Sequence, residues 1–297
     1  MSEAVLLMPV VFSIGSRLEN VTPVEFAQNP TKIVNALRQI RSSLKVDGVC
    51  CYFDRSLEKG ALDGDGVQPL RSSADQVLQR GRVPIVMEVL KRARIVLKDT
   101  ALIVRVTGPV TIASQLTHCK GKSEWSDRES IEFCAEVCAA LSKAYVEAGA
   151  DVVLLEETVL SARTAESVMW WGSLLDPIAN LIRFYEALPV LVLDGEQLSA
   201  DTVQLIVGRA WDFLLCPSAR TYSLLSSDEW NRTAAGMGVA FPVEVLSDPK
   251  EVEPTRKLIA DAKPMMLTTV EDVPVATDLK RLAANLQQFR GVLASRT

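Results

Sequence analysis

With 297 residues, the chain has room for two ordinary domains or for one barrel of alternating strands and helices, which takes roughly 250 residues. A hydrophobic content of 48% excludes a disordered chain, and a net charge of −5 with scattered basic residues excludes the basic footprint of a nucleic-acid binder. Six cysteines without a C-x-x-C pair read as reduced, buried thiols of a cytoplasmic protein rather than a disulfide framework.

The apolar run Ala4–Ile14 is too short to span a bilayer and lacks a basic flank and a cleavage site, so it is read as a first strand, Val5–Phe12, with Pro9 inside it. Thr22-Pro23-Val24-Glu25 is a capping box, Asn29-Pro30 restarts the helix, and Ile33, Leu37, Ile40 and Leu44 form its apolar stripe. Gly48–Phe53 is a second strand, ending on Asp54 and Arg55. Ser72–Asp99 is helical, broken at Gly81 and Pro84. A third strand, Ala101–Val106, leads into Thr107–Thr111, with His118 on a loop. A helix after Ser126 ends at Gly149, and a fourth strand, Asp151–Leu155, ends on Glu156 and Glu157.

The helical region Ala165–Ala187 is restarted by Asp176-Pro177. Strands then follow at Pro189–Leu193, Trp211–Leu215, Gly238–Val243 and Pro264–Leu267, separated by helical segments, with a last helix over Thr277–Ala294. Strict alternation of strand and helix predicts a parallel sheet, and eight such units over this length predict an α/β fold of the closed (β/α)8, TIM-barrel type. The rival open doubly wound sheet lacks a glycine-rich phosphate loop after its first strand. Without a linker or low-complexity stretch, residues 1–297 are read as one domain.

In such a barrel the residues after each strand share one rim, where ligands bind. That rim would hold Arg17, Asp54, Arg55, Thr107, Glu156, Glu157, Thr158, Asp194, Cys216, Glu244 and Thr268/Thr269. Acids crowded in a dry pocket have their proton affinities pushed apart, although they also serve as helix caps. The single histidine, His118, excludes a Ser-His-Asp triad and a multi-histidine metal site. Asp194 and Cys216 end adjacent strands but show no third ligand, so no metal site is expected. Trp170 and Trp171 read as packing or interface residues.

Three stretches resemble the uroporphyrinogen decarboxylase family, whose superfamily includes cobalamin-independent methionine synthase and corrinoid methyltransferases. They are Asp47–Asp54 with Ala61-Leu62, Thr107–Ala113, and Ala148–Leu155 followed by Glu156-Glu157-Thr158. The resemblance implies that Asp54 occupies the position of the aspartate that binds pyrrole N–H groups and stabilises the cation of decarboxylation. Gln115 stands where the family has a tyrosine, Thr158 where it has a serine, and Arg17 is the remnant of a two-arginine motif. The methyltransferase branch has His-x-Cys after strand five and a cysteine after strand eight, binding zinc; here those positions read Val192-Leu193-Asp194 and Thr268/Thr269.

Three functional expectations follow. The first is a cofactor-free decarboxylase for a small or aromatic carboxylated substrate, with Asp54 and Glu157 as catalytic groups. Arg17, Arg55, Thr107, Gln115, Thr158, Asp194, Cys216 and Glu244 would bind the substrate. The second is a methyl (C1) transferase, such as an O-demethylase component, with a corrinoid protein or tetrahydrofolate as acceptor; Glu157 or Asp54 would protonate the leaving oxygen. The third is a non-catalytic barrel subunit. No nucleic-acid or membrane partner is expected, and the apolar Val168–Trp171 surface permits a homodimer.

Overall fold

The structure of the protein is a computed structural model that describes residues 6–63, 73–118, 128–158, 165–193, 211–216, 236–241, 266–269 and 271–294. Eight parallel strands form one sheet: β1 (Leu6–Leu7), β2 (Gly48–Cys50), β3 (Ala101–Thr107), β4 (Val152–Glu157), β5 (Leu188–Leu193), β6 (Phe213–Cys216), β7 (Gly236–Phe241) and β8 (Met266–Thr269). Their order, β1-β8-β7-β6-β5-β4-β3-β2, makes neighbours in sequence neighbours in the sheet and pairs the first strand with the last. This is the topology of the (β/α)8 barrel. The described helices are α1 (Ile14–Leu18), α2 (Pro23–Ala27), α3 (Pro30–Leu44), α4 (Leu57–Leu62), α5 (Ala74–Val77), α6 (Val83–Val96), α7 (Pro109–His118), α8 (Arg128–Glu147), α9 (Ala165–Phe184) and α10 (Leu279–Ala294).

Two apolar layers follow from the period-2 alternation of strand side chains. One face supplies Met8, Ile103, Val152, Leu154, Val190, Val192 and Met266, which pack on one another as the barrel's inner floor. The other face supplies Val49, Cys51, Leu102, Val104, Val153, Leu155, Leu191 and Leu267 to a larger layer shared with the helices. Gly48 faces the floor: a Cβ there would meet Met8 Sδ at 2.7 Å and Ile103 Cδ1 at 2.8 Å, so only glycine fits.

The seam between β1 and β2 is made by one residue rather than by a ladder. Asp47 donates its N–H to the Leu7 carbonyl (3.0 Å), and its carboxylate accepts the Leu7 N–H (2.9 Å) and an N–H of Arg290 on α10 (3.0 Å). The same device recurs ahead of β4. Asp151 donates to the Leu102 carbonyl (2.9 Å), accepts the Leu102 N–H (2.7 Å), and pairs with Arg94 of α6. Ahead of β6, Asp212 donates to the Pro189 carbonyl (3.3 Å) and pairs with Arg183 of α9. Pro189 has no N–H for that carboxylate to accept. For Asp151 and Asp212 the arginine comes from the helix leading into the odd-numbered strand, and for Asp47 it comes from the final helix, so helix, odd strand and even strand are locked at the base of the barrel.

The caps at Thr22 and Asn29 form as the sequence predicts, with their side chains accepting from Glu25 N–H (3.2 Å) and Lys32 N–H (3.1 Å). Gly81 (φ +55°) separates α5 from α6, and Gly149 (φ +110°) follows α8. Several boundaries differ. Strand β1 covers only Leu6–Leu7, because on either side of Pro9 the chain is held to β8 by side chains: Thr268 Oγ1 donates to the Met8 carbonyl (2.8 Å) and Thr269 Oγ1 accepts the Val10 N–H (3.0 Å). Pro177 sits inside one continuous α9 rather than restarting it. Residues 109–118 form α7 instead of a turn and loop, with His118 at its end. The helical segments expected over 199–209, 227–235 and 248–262 lie outside the described residues. Asp47→Ala is expected to lower unfolding free energy by about 1–2 kcal/mol, the loss of its hydrogen bonds at a half-exposed site, measured by urea denaturation.

Candidate active site

Strand β4 runs through Glu157, two residues further than expected, and this decides what its two glutamates do. Adjacent strand residues face opposite sides. Glu156 continues the inward row of Val152 and Leu154, whereas Glu157 continues the outward row of Val153 and Leu155.

Glu157 is fully buried against the start of α7. Its carboxylate accepts Val110 N–H (3.1 Å), Thr111 N–H (2.9 Å), the Thr111 hydroxyl (2.6 Å) and the Trp171 indole N–H (3.1 Å). It therefore takes the place of an N-cap, satisfying amides that the first helical turn leaves open. Gly108 is required for the approach, since a Cβ there would stand 2.3 Å from Glu157 Cδ. The Thr158 N–H donates to Thr111 Oγ1 (2.9 Å) and belongs to the same cap. Glu157 and Thr158 thus serve the α7 cap, and the parity of β4 places Glu157 on the helix side of the strand rather than at the mouth.

Inside the barrel, Glu156 pairs with Arg105, which continues the inward row of Ile103 on β3. The Arg105 guanidinium also lies 4.8 Å from the centroid of the Phe53 ring, a cation–π contact. Arg55 reaches the same carboxylate from the β2 rim (3.3 Å) and extends outward to Glu271 (3.5 Å). Arg55 is 39% exposed while Glu156 is 3% exposed, so the group runs from solvent to the apolar floor. The Gln115 amide donates to the Arg55 carbonyl (3.4 Å), which brings α7 to this rim.

Asp54 is engaged on both oxygens. One accepts the N–H (2.9 Å) and hydroxyl (2.7 Å) of Ser56, and the other accepts from Arg82 (2.8 Å). It caps the turn into α4 and pairs with Arg82 rather than with its neighbour Arg55. Asp54, Arg55, Arg105, Thr107, Glu58 and Tyr52 are among the residues lining a cavity of about 10 Å³, room for about one water molecule.

Glu58, on α4, is buried, and its carboxyl accepts both the N–H (3.0 Å) and the hydroxyl (2.8 Å) of Thr107. Burial raises its pKa above the ordinary 4.5; the Thr107 bonds oppose the rise and Asp54 adds to it. Burial likewise raises Glu157 above 4.5 and Asp272 above 3.8. Asp272 ties the segment after β8 to the end of β1, accepting Phe12 N–H (2.7 Å) and Ser13 N–H (2.8 Å). Burial pushes the Cys50 thiol up to about 12, which leaves it protonated and unsuited as a soft ligand.

The structure thus brings Asp54, Arg55, Thr107 and Gln115 to one rim. Arg17 lies elsewhere: it is exposed and donates to the Thr277 carbonyl (2.6 Å). Asp194 and Glu244, and the Cys216 side chain, lie outside the described residues. Sequence reasoning missed Glu58, Arg82, Arg105, Glu271 and Asp272. Arg105 carried a signal, a lone charge within the apolar run Ala101–Val106, whereas Glu58 looked like any glutamate on a surface helix.

Among the described residues, no three His, Cys, Asp or Glu side chains are grouped to hold a metal ion, and no helix is long and apolar enough to cross a membrane. The β8 end, where the methyltransferase branch has a cysteine, carries Thr268 and Thr269, whose hydroxyls are committed to the β1–β8 junction. Those neutral oxygens do not fit a zinc–thiolate centre.

A family model described as Uroporphyrinogen decarboxylase (URO-D) matches residues 8–192. The chain belongs to this family. Two curated relatives from Methanosarcina barkeri, both methylcobamide:CoM methyltransferase MtaA, are 38% and 37% identical over 92 residues. Each match spans 29% of this chain and only 27% of the relative. A solved methyltransferase from Methanosarcina mazei superposes over 97% of this chain and 94% of its own, with a TM-score of 0.74 at 16% identity. A B12-independent methionine synthase from Shewanella sp. W3-18-1 covers 89% of each chain with a TM-score of 0.55 at 14% identity. At these identities the structural likenesses show the shared barrel fold.

Gly108→Ala is expected to cost about 1–3 kcal/mol, because the capped Glu157 cannot yield. Gly60→Ala, with nothing within 4 Å of the added Cβ on α4, is expected to stabilise by about 0.5–1 kcal/mol. Thermal and urea unfolding check both. A carboxyl with a raised folded pKa binds its proton more tightly in the folded state. Its contribution is therefore present at low pH and is lost as pH rises from about 4.5 through the folded value. Glu58→Gln is expected to make the fall of unfolding free energy above pH 4.5 shallower, by up to about 1.4 kcal/mol per pH unit.

Proposed function

We propose that this barrel is a methyl (C1) transferase that moves a methyl group between a corrinoid, carried by a partner protein, and a small anionic substrate at the barrel mouth. The observation that carries the reading is the 92-residue likeness to methylcobamide:CoM methyltransferase, in a chain whose residues 8–192 match the uroporphyrinogen decarboxylase family. The geometry of Asp54 supports it. Decarboxylation of a pyrrole substrate asks that aspartate to receive N–H groups, but here Arg82 and Ser56 occupy both oxygens.

Methyl transfer needs little covalent help from a protein. The attacking atom, the methyl carbon and the leaving atom must be held in line, and the leaving atom must be made stable. Arg55 is the half-exposed guanidinium at the rim and is shared between Glu156 and the exposed Glu271. A substrate carboxylate or sulfonate would displace the exposed Glu271 and form charge-assisted hydrogen bonds with Arg55. Arg105, held by Glu156 and Phe53, keeps the inner end of this group fixed. In the demethylating direction a methyl–oxygen bond breaks as the methyl carbon bonds to the reduced cobalt of the corrinoid substrate, and the oxygen gains a proton. No step is assigned to zinc.

The reading is tested with two probe sets. Reduced cobalamin is mixed with methoxylated benzoates, and methylcobalamin with thiols including coenzyme M, while the cobalt absorbance is followed. Enzyme-dependent conversion in either set is expected, with Arg55→Ala lowering kcat/KM by about 10–100-fold, the equivalent of one charged hydrogen bond. Release of carbon dioxide from a porphyrinogen, with no methyl movement in either set, would establish decarboxylation instead.

A further inference from the structure

We infer that Glu58 is the proton source of this site and serves the leaving oxygen through the water-sized cavity beside Thr107. The inference deepens the methyltransferase reading and rests on it. The other buried or half-buried carboxylates described at the barrel mouth are already engaged. Glu156 is bound by Arg105 and Arg55, and Asp54 by Arg82 and Ser56. Glu157 faces out of the barrel and caps α7, and Asp272 accepts from Phe12 and Ser13 at the β1 end. Each is committed to a cation or to backbone amides.

Glu58 is the carboxyl without a cation that lies on the water-sized cavity, and its contacts suit it to hold a proton. It lines the cavity that also reaches Arg55 and Arg105. Among the described residues no guanidinium or ammonium pairs with it: it accepts from the Thr107 amide and hydroxyl and from its own backbone amide. The Thr107 hydroxyl can accept as well as donate, so the carboxyl can carry a proton or lose it without breaking contact with Thr107. Burial favours the protonated form.

The groups facing Glu58 come from every element around it. Tyr52 follows β2, Asp54 and Arg55 lie on the rim, and Arg105 is on β3. From α8, Cys138 and Tyr145 sit within electrostatic reach, both held protonated by burial. Asp54 favours keeping the proton on Glu58. The guanidiniums of Arg55 and Arg105, lining the same cavity, favour the carboxylate that remains once the proton has left.

The step balances as follows. The carbon–oxygen bond of the methyl ether breaks, and its electron pair stays on oxygen. The methyl carbon takes the electron pair of the reduced cobalt. The Glu58 proton passes through the cavity, by one water or by the Thr107 hydroxyl, to that oxygen. The products are the alkylated corrinoid, a free hydroxyl compound and a Glu58 carboxylate, which regains a proton from solvent.

The test compares wild type with Glu58→Gln, which keeps the shape of the side chain but carries no acidic proton. Methyl donors are methoxybenzoates with and without ring nitro groups, and reduced cobalamin is the acceptor. A nitro group makes the leaving oxygen stable without a proton. Glu58→Gln is expected to slow the unsubstituted donors by about 10²–10⁴-fold and the nitro donors far less. The wild-type rate falls as pH rises through the Glu58 pKa, and the variant's does not. Equal slowing of all donors, or an unchanged pH profile, would overturn the role of Glu58 while leaving methyl transfer standing. If wild type moves no methyl group from any donor, the methyltransferase reading fails by itself. Infrared difference spectra then decide for Glu58: a protonated-carboxyl band at neutral pH, lost in Glu58→Gln, supports an acid at this position, and its absence from wild type overturns one.

Discussion

A carboxylate and a guanidinium face each other inside the barrel, at the level where the apolar floor ends. Removing Glu156 and Arg105 from water costs several kcal/mol per ion, and only close pairing with further contacts can offset that cost. The structure supplies those contacts through Arg55 and the face of Phe53. Below the pair, Ile103, Leu154, Val190 and Met266 close the interior. Above it, the walls carry Arg55, Glu58 and Asp54. The pair therefore sets where packing stops and chemistry can start. It depends in turn on the register of β3 against β4, where Arg105 lies beside Leu154 and Thr107 beside Glu156. A slip of β4 by one residue would turn Glu156 into the helix layer, leave Arg105 without it and bring Glu157 into the interior.

That register is held from both ends of the sheet. At the base, Asp47 and Asp151 each clasp the backbone of the preceding strand and accept an arginine from a helix. At the mouth, Glu157 caps α7 and so fixes the direction in which the chain leaves β3. Thr268, Thr269 and Asp272 join the ends of β8 and β1. These carboxylates are structural because each meets a row of backbone amides, the one partner that a strand end or helix start always offers. Glu58 is set apart by its place, on the cavity it shares with Arg55, Arg105 and Thr107.

The alternation of apolar runs with amphipathic stretches carried the barrel, and the capping residues Thr22 and Asn29 marked helix starts correctly. The site was less legible, for identifiable reasons. Glu156 and Glu157 are adjacent and chemically identical, and their roles separate only when strand β4 is known to include them both. The partner of Asp54 is Arg82, 28 residues on, where no spacing rule reaches. Glu58 acquires its meaning from Thr107, 49 residues away. The α7 helix was hidden because its first turn is capped by Glu157, 47 residues later in the chain, instead of by a local side chain. Long-range partners made the site, and one-dimensional patterns made the fold.

The barrel thus combines a fold shared with methyl-transferring relatives, an aspartate held by Arg82 and Ser56, and, among the described residues, a half-exposed Arg55 beside a cavity lined by the buried Glu58. The most direct test of that account follows the methyl group itself. The protein is incubated with reduced cobalamin and benzoates bearing isotope-labelled methoxy groups, and the label is traced by nuclear magnetic resonance. Enzyme-dependent transfer of the label from oxygen to cobalt, with release of the hydroxybenzoate, is expected of a methyltransferase. Label that stays on oxygen while carboxyl carbon leaves the substrate as carbon dioxide would contradict it.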